Sequence, residues 1–379
     1  MHNPLSTRKS KKMKFLNKLF GKKEEPIKKE IKKLTISEFW NWFDDNQIRF
    51  LKAVKSQKNI QFEFVTPVFN KLNQIKEGAF LLTGMMDDNN AELVLTAEGN
   101  LRAFPYINEL IDSAPKLENW KFTAFKPPMD FPDFGINMGP KSFTTENIFF
   151  YPENESDYPD EISIKLIYSD EYTNDESELI ENGTFIFVEN YLGEVKTATK
   201  IDRLSVEHNV NSDKELNPIS KLNEYINWRE KEFIEKYEGV FLNSDESNYS
   251  SLEWDKGDKA IVGIVNSDII KWDKKASHPW VIVITITFDE HENNGMPNPE
   301  ALQTYYQFED KLRELLPDKD GYIHVAQTTG LGKREIYYAT KDFMKPIQIL
   351  EETKSETNFE YNVEVFKDKY WKSMNHFEH

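Results

Sequence analysis

Lys333 and Arg334 follow Gly330-Leu-Gly332, a glycine-bounded basic pair of the kind that can cradle a phosphate. A Walker loop needs Gly, four residues, Gly-Lys and Ser/Thr, followed by a helix. Here Arg334 occupies the Ser/Thr place and the flanks read as a hairpin, so the run is read as a turn. Arg334 is then expected to reach a carboxylate of the preceding helix, Glu309 or Asp310. Glu309, Asp310, Lys333 and Arg334 are the interaction or structural candidates of the chain. His291, in Asp289-Glu-His-Glu292, is the histidine most closely surrounded by acids. Alternate side chains of an extended segment point to opposite faces, however, and the seven His include no His-x-x-x-His pair. Neither a metal site nor a cofactor is expected. Ser56-Gln-Lys-Asn carries Ser-x-x-Lys only in broken form, there is no Gly-x-Ser-x-Gly elbow, and no Cys is present to supply a thiolate. No nucleophile, base and orienting group can be named together, so no catalytic residue is assigned. With 65 Asp/Glu, carboxylate pairs arise by chance, and glycoside hydrolysis requires a separation across a cleft that spacing along a chain does not give.

Charge is unevenly distributed. Residues 1–33 hold twelve Lys/Arg against three Glu, a formal +9, so the remainder carries −26 of the total −17. A body this acidic repels phosphate backbones, and no broad nucleic-acid surface is expected. Within the tail, Phe15, Leu16, Leu19 and Phe20 fall on one side of a short helix ringed by lysines, a pattern able to rest on an anionic membrane surface. The plainer reading is a solvated leader, and Met13 is an alternative start. The absence of Cys, of a secretory pattern and of an apolar run of about 18 residues leads to an expected cytoplasmic location without a transmembrane segment.

The 379 residues exceed what one core usually serves, and 27 Phe, 16 Tyr and 8 Trp supply material for two. Apolar spacing predicts a helix from Ser37, its possible cap, and another over Phe64–Ile75 with Pro67 near its start. Strands are expected at Ala79–Thr83, Glu92–Thr96, Lys121–Phe125, Asn147–Tyr151, Glu161–Tyr168 and Ile201–Val206, with a helix at Phe104–Ser113. Pro127–Thr145 reads mostly as loop, and Gly183–Leu192 fits either a strand or a helix. Leu222, Tyr225, Ile226, Phe233, Ile234 and Tyr237 stripe a connector helix that should pack onto a domain.

The last part has the clearest order: strand Val281–Phe288, helix Glu300–Leu316, hairpin strands Tyr322–Thr328 and Glu335–Ala339, helix Asp342–Glu351 and strand Phe359–Phe366. Trp371 and Phe377 are expected to close an edge of its core. This β-α-β-β-α-β order predicts an α+β protein with a C-terminal split βαβ, ferredoxin-like domain and an additional N-terminal α+β domain. The boundaries read as a basic tail at 1–36, an N-terminal domain at 37–207, a linker and connector helix at 208–251, and the last domain at 252–379.

Several landmarks in this last domain, His278-Pro-Trp-Val281, Asn294-Gly-Met-Pro297, Phe308-Glu-Asp-Lys-Leu312, Gly330–Tyr338 and Asp368-Lys-Tyr-Trp371, resemble the DUF695 family over roughly Leu252–Phe377. That family looks related to bacterial proteins that regulate RNase E, which implies a ferredoxin-like fold and carries over no nuclease inhibition and no site residue. Leu95–Asn100, Ala114–Trp120 with Ala124–Pro127, and Leu192-Gly-Glu194 resemble a domain found beside DUF695 in uncharacterised bacterial proteins.

The function expected from this pattern is a noncatalytic binding or regulatory protein with a protein partner. The alternatives are a carboxylate-dependent hydrolase with an interdomain cleft, and a membrane-surface regulator using Phe15, Leu16, Leu19 and Phe20.

Overall fold

Thr35 opens the first helix among the described residues, α1 (Ile36–Ser56): its Oγ1 accepts from the Glu38 N–H at 3.1 Å, and the Glu38 carboxylate accepts from the Thr35 N–H at 2.8 Å. This capping box replaces the expected Ser37 cap, because the motif needs Glu or Gln three residues on and Ser37 has Trp40 there. The computed structural model describes residues 33–129, 131, 134–153, 156–208, 214–242, 247–257, 259–289 and 293–378. Phe15, Leu16, Leu19, Phe20 and His291 lie outside them.

Phe39, Phe43 and Phe50 of α1 are fully buried, and Phe43 meets Trp120 edge-on at 5.1 Å. A π-helical turn at Gln61–Val65 runs without a break into α2 (Thr66–Ile75), with Pro67 just beyond the π turn. These helices pack with α3 (Phe104–Asp112) around a sheet of β1 (Phe80–Met85), β2 (Ala91–Thr96) and β3 (Trp120–Ala124), antiparallel then parallel.

The stretch expected to be loop contains a hairpin, β4 (Gly135–Met138) and β5 (Lys141–Thr144). Its Phe143 is buried against Gly183, which lets the ring approach the backbone of α4 (Ser177–Leu192). The ambiguous Gly183–Leu192 is thus helical. Thr173 and Glu176 form a capping box just upstream, and Ile180, Phe187, Val188 and Tyr191 bury one helical face. α4 covers a second sheet of β6 (Ile148–Pro152), β7 (Ser163–Tyr168), β8 (Arg203–Val206) and the short β9 (Asn217–Pro218), with α5 (Glu194–Thr199) between α4 and β8. Leu222 and Ile226 of the connector helix α6 (Leu222–Tyr237) join that core, whereas Ile234 is 60% exposed. The first turns of the expected stripe therefore join the apolar core, while Phe233 and Tyr237 near its far end meet Lys369 and Asp160.

The C-terminal sheet has six antiparallel strands in the order β10 (Tyr249–Lys256), β11 (Lys259–Asn266), β13 (Tyr322–Gly330), β14 (Lys333–Thr340), β12 (Trp280–Thr287), β15 (Tyr361–Lys367). It is two strands wider than the sequence order predicted, because the hairpin β10–β11 adds to the free side of β13. β12 lies between β14 and β15, as its near-continuous apolar run requires. α8 (Pro299–Leu315) and α9 (Met344–Thr353) cover one face, where Phe308 meets Tyr361 at 5.1 Å and Phe343 meets Trp280 at 4.5 Å. A short helix α7 (Ser267–Ile270) joins Trp371, Met374 and Phe377 over the other face, so these last residues cap a face of the core rather than an edge. Leu331 and Gly332, both at positive φ, make the two-residue turn between β13 and β14. Thr35–His379 form one compact unit.

Candidate functional site

Directly opposed residues of paired strands share a sheet face, so the strand register fixes which side chains assemble beside α8. One row runs Glu253, Val262, Thr329, Arg334, Ile286, Tyr361, and the next runs Ser251, Ile264, Gln327, Ile336, Ile284, Val363. The inner ends of both rows lie beneath α8. The outer ends, on β10 and β11, carry no helix among the described residues.

Arg334 stands at the border. Its Nε and Nη2 donate to the two carboxylate oxygens of Glu309 at 2.5 and 3.0 Å, and Nη1 donates to Thr329 Oγ1. The guanidinium lies 5.1 Å from the centre of the Tyr306 ring. Gln327, with its amide nitrogen toward Glu309 and its oxygen toward Arg334 Nη2, closes the network at 3.0 Å on each side. Arg334 and Glu309 are 3% and 2% exposed, so the pair is a desolvated fork with its donors and acceptors satisfied. Asp310, one residue on, points to solvent and accepts from Arg313 at 2.7 Å. Lys333 pairs with Glu335 at 2.8 Å on the outer part of the strand. Of the four candidate residues, the structure thus joins Arg334 to Glu309 and sends Asp310 and Lys333 elsewhere.

His324, on β13 of the same face, holds its ring 5.4 Å from Tyr338, and its Nε2 is buried without a hydrogen-bond partner. Burial, with Arg313 and Arg334 nearby, pulls its pKa down to about 3 and keeps the ring neutral. Beside this network lies an uncovered shelf: Tyr249, Val262, Ile264 and Tyr306 are 50%, 42%, 41% and 41% exposed.

Two further constellations lie elsewhere. Glu194, buried at the start of α5, accepts from Thr96 Oγ1 at 2.6 Å and from the N–H groups of Ala97, Gly99 and Lys126 at 2.9, 3.3 and 3.2 Å. Lys126 Nζ in turn reaches Glu98 at 2.7 Å and Glu189 at 3.0 Å. Burial lowers the Lys126 pKa, but Glu189 and Glu98 outweigh it and hold the ammonium above its usual range. Glu98 and Phe125 adopt positive φ here, a conformation that the surrounding bonds hold in place. Leu95–Asn100, Ala124–Pro127 and Leu192–Glu194, separate along the chain, meet at this point.

The second constellation joins the chain's end to its middle. Asp202 accepts from Lys369 at 2.9 Å and pairs with Lys367 at 3.2 Å, while Lys369 also donates to the Asp160 carbonyl at 2.6 Å. Asp160 accepts from Lys236, Tyr237 and Tyr370 at 2.7, 2.8 and 2.7 Å, and Glu161 pairs with Arg203 and Lys372 at 2.9 and 2.5 Å. Sequence reasoning missed this seam; the alternation Lys367-x-Lys369 on a strand end was its only local sign. A 380 Å³ cleft nearby, lined by Lys196, Lys200, Asn227, Glu230, Lys231 and Ile234, holds Lys200 against Glu230 at 2.7 Å.

Among the described residues, no group of His, Asp and Glu is arranged to hold a metal ion, and no helix is long and apolar enough to cross a membrane. No curated protein and no solved structure matches the sequence. Residues 254–377, the hairpin, sheet and helices around Arg334, match the model of a family of unknown function, DUF695.

Proposed function

We propose that the protein is a noncatalytic binding or regulatory protein that holds a protein partner on the uncovered shelf beside α8. The observation that carries this reading is the exposure of Tyr249, Val262 and Ile264 on one sheet face and of Tyr306 on α8 beside it, next to the buried fork that ties α8 to β13 and β14. An apolar patch on a rigid sheet is suited to contact, and the acidic body around it favours a basic partner. The buried carboxylates Glu309, Glu194 and Asp202 are all engaged by donors, which suits scaffolding better than acid–base work.

The same reading takes β13-β14-β12-β15 with α8 and α9 as a split βαβ, ferredoxin-like unit widened by the β10–β11 hairpin. Its support is the strand order, in which the first strand of the unit lies between its third and fourth. The N-terminal block is the domain that accompanies it, with α6 as connector.

The test compares the full-length protein with Val262→Glu/Ile264→Glu in lysate of the source organism at gentle salt. A partner that co-purifies with the parent and with Ile48→Glu, an exposed change far along the chain, is expected to be lost from the shelf variant. Equal recovery by the parent and the shelf variant, or a partner-free monomer at every salt concentration, overturns the reading.

A further inference from the structure

The two edges of the C-terminal sheet are treated differently. β15 is shielded: Arg102 donates to Asn362 at 3.2 Å, and Lys367 donates to the Lys200 carbonyl at 3.1 Å. β10 pairs with β11 alone, and no other described strand or helix lies along its outer side. Edge strands are usually blunted by shortness, proline, a bulge or a lysine, since a free row of N–H and C=O groups invites pairing. β10 runs for eight residues with an unbroken register and no proline.

What β10 does carry is acidic. Glu253 and Asp255 alternate on the shelf side, both exposed and without an ion pair among the described residues, in line with Ser251 and Tyr249. Leu252 and Trp254 point to the other side and pack on the core there. A second copy of the chain would bring its own Glu253 and Asp255, and its net charge of −17, to the same edge. Like charges placed across a strand pair repel, so self-pairing is opposed. The bland role of the two carboxylates is to repel other edges. That role leaves unexplained why the apolar Val262 and Ile264 stand exposed on the next strand.

We infer that β10 is a receiving edge for an extended, lysine- or arginine-bearing segment of a protein partner, which adds to the sheet as a further strand. Its basic side chains lie opposite Glu253 and Asp255, and the apolar part of the partner covers the shelf. The inference rests on the shelf-binding reading and specifies its mode: main-chain bonds to β10 supply affinity, while the alternating side chains supply selectivity.

The full-length protein is titrated with three capped octapeptides: alternating lysine and valine, the same sequence N-methylated on alternate residues, and alternating glutamate and valine. Amide exchange along Tyr249–Lys256 is read at each step. The lysine peptide is expected to slow the outward-facing β10 amides about tenfold at saturation, with the effect weakening as salt rises. The N-methylated and glutamate peptides leave the exchange unchanged. Glu253→Lys/Asp255→Lys reverses the preference between the charged peptides, and Ser251→Pro, at the open edge, abolishes protection in a second, charge-neutral way. Unchanged exchange with the lysine peptide, or equal protection by its N-methylated form, overturns edge pairing. If either occurs while Val262→Glu/Ile264→Glu still loses its partner, shelf binding stands and only the strand-addition mode falls. If β10 is protected while the shelf variant keeps its partner, the shelf-binding reading falls, and with it the claim that the partner covers the shelf.

Discussion

Lys369 places its ammonium 2.9 Å from Asp202 Oδ2, joining residues separated by 167 positions, and Lys367 approaches the other oxygen of the same carboxylate at 3.2 Å. One buried anion therefore faces two cations. Burial pulls the Lys367 pKa down, and Lys369 beside it adds to that effect, to about 8 despite the pull of Asp202. Burial pushes Asp202 up, but the two ammoniums outweigh it and hold the acid below its usual range.

This arrangement sets a pH dependence. The folded pKa of Lys367 lies below the unfolded one, so between about pH 8 and pH 10 the unfolded chain binds a proton that the folded chain has released. Stability contributed at this site rises with pH across that window, by about 1–3 kcal/mol. Urea unfolding of the parent and of Lys367→Met from pH 8 to 10 checks it: the rise should be smaller in the variant. Asp202 acts at the opposite end, contributing stability above about pH 4 that is lost as the pH falls through its lowered pKa.

The Arg334–Glu309 fork predicts strong non-additivity. Arg334→Met leaves the Glu309 carboxylate buried without its cation and should cost about 3–5 kcal/mol. Arg334→Met/Glu309→Leu removes both charges and should recover most of that loss. A double-mutant cycle by chemical denaturation measures the coupling, and additive losses would show that the fork is weakly coupled.

Glu194 is expected to be sensitive to a change of one atom. Glu194→Gln keeps the shape but aims N–H groups at donors, either Thr96 and Lys126 or Ala97 and Gly99. The loss should be about 2–4 kcal/mol. Faster amide exchange at Ala97 and Gly99 in the variant would locate the effect at this loop.

Gly183→Ala sets two effects against each other. Alanine favours a helix over glycine by about 1 kcal/mol. A Cβ at this position, however, would lie 2.1 to 2.6 Å from atoms of the buried Phe143 ring. Overpacking of about 1–3 kcal/mol should win, lowering the midpoint of thermal unfolding. Adding Phe143→Leu should restore part of the loss relative to Phe143→Leu alone, a comparison that separates the clash from the cavity.

Much of the secondary structure was legible because its signals are local. Phe39, Phe43 and Phe50 mark a helix face, β12 is nearly all β-branched, and Leu331-Gly332 is a turn whatever surrounds it. The hairpins β4–β5 and β10–β11 were not legible: the first lies in a Gly- and Pro-bearing stretch, and the second alternates weakly, with Ser, Glu and Asp on its outward face. Arg334 could be paired in advance with Glu309 or Asp310, but the choice between neighbours on a helix depends on which one turns toward β14.

By itself, the sequence determined the acidic body and basic tail, the absence of thiol chemistry, and the strand and helix order from β12 to β15, since composition and short-range periodicity are properties of the chain. Tertiary structure alone decided that Gly183–Leu192 is a helix, that Lys367 and Lys369 share Asp202, and that β10 is left as an open edge. Those outcomes depend on burial and pairing between distant residues, and desolvation gives a charge or a free backbone group its meaning only once the chain has closed around it.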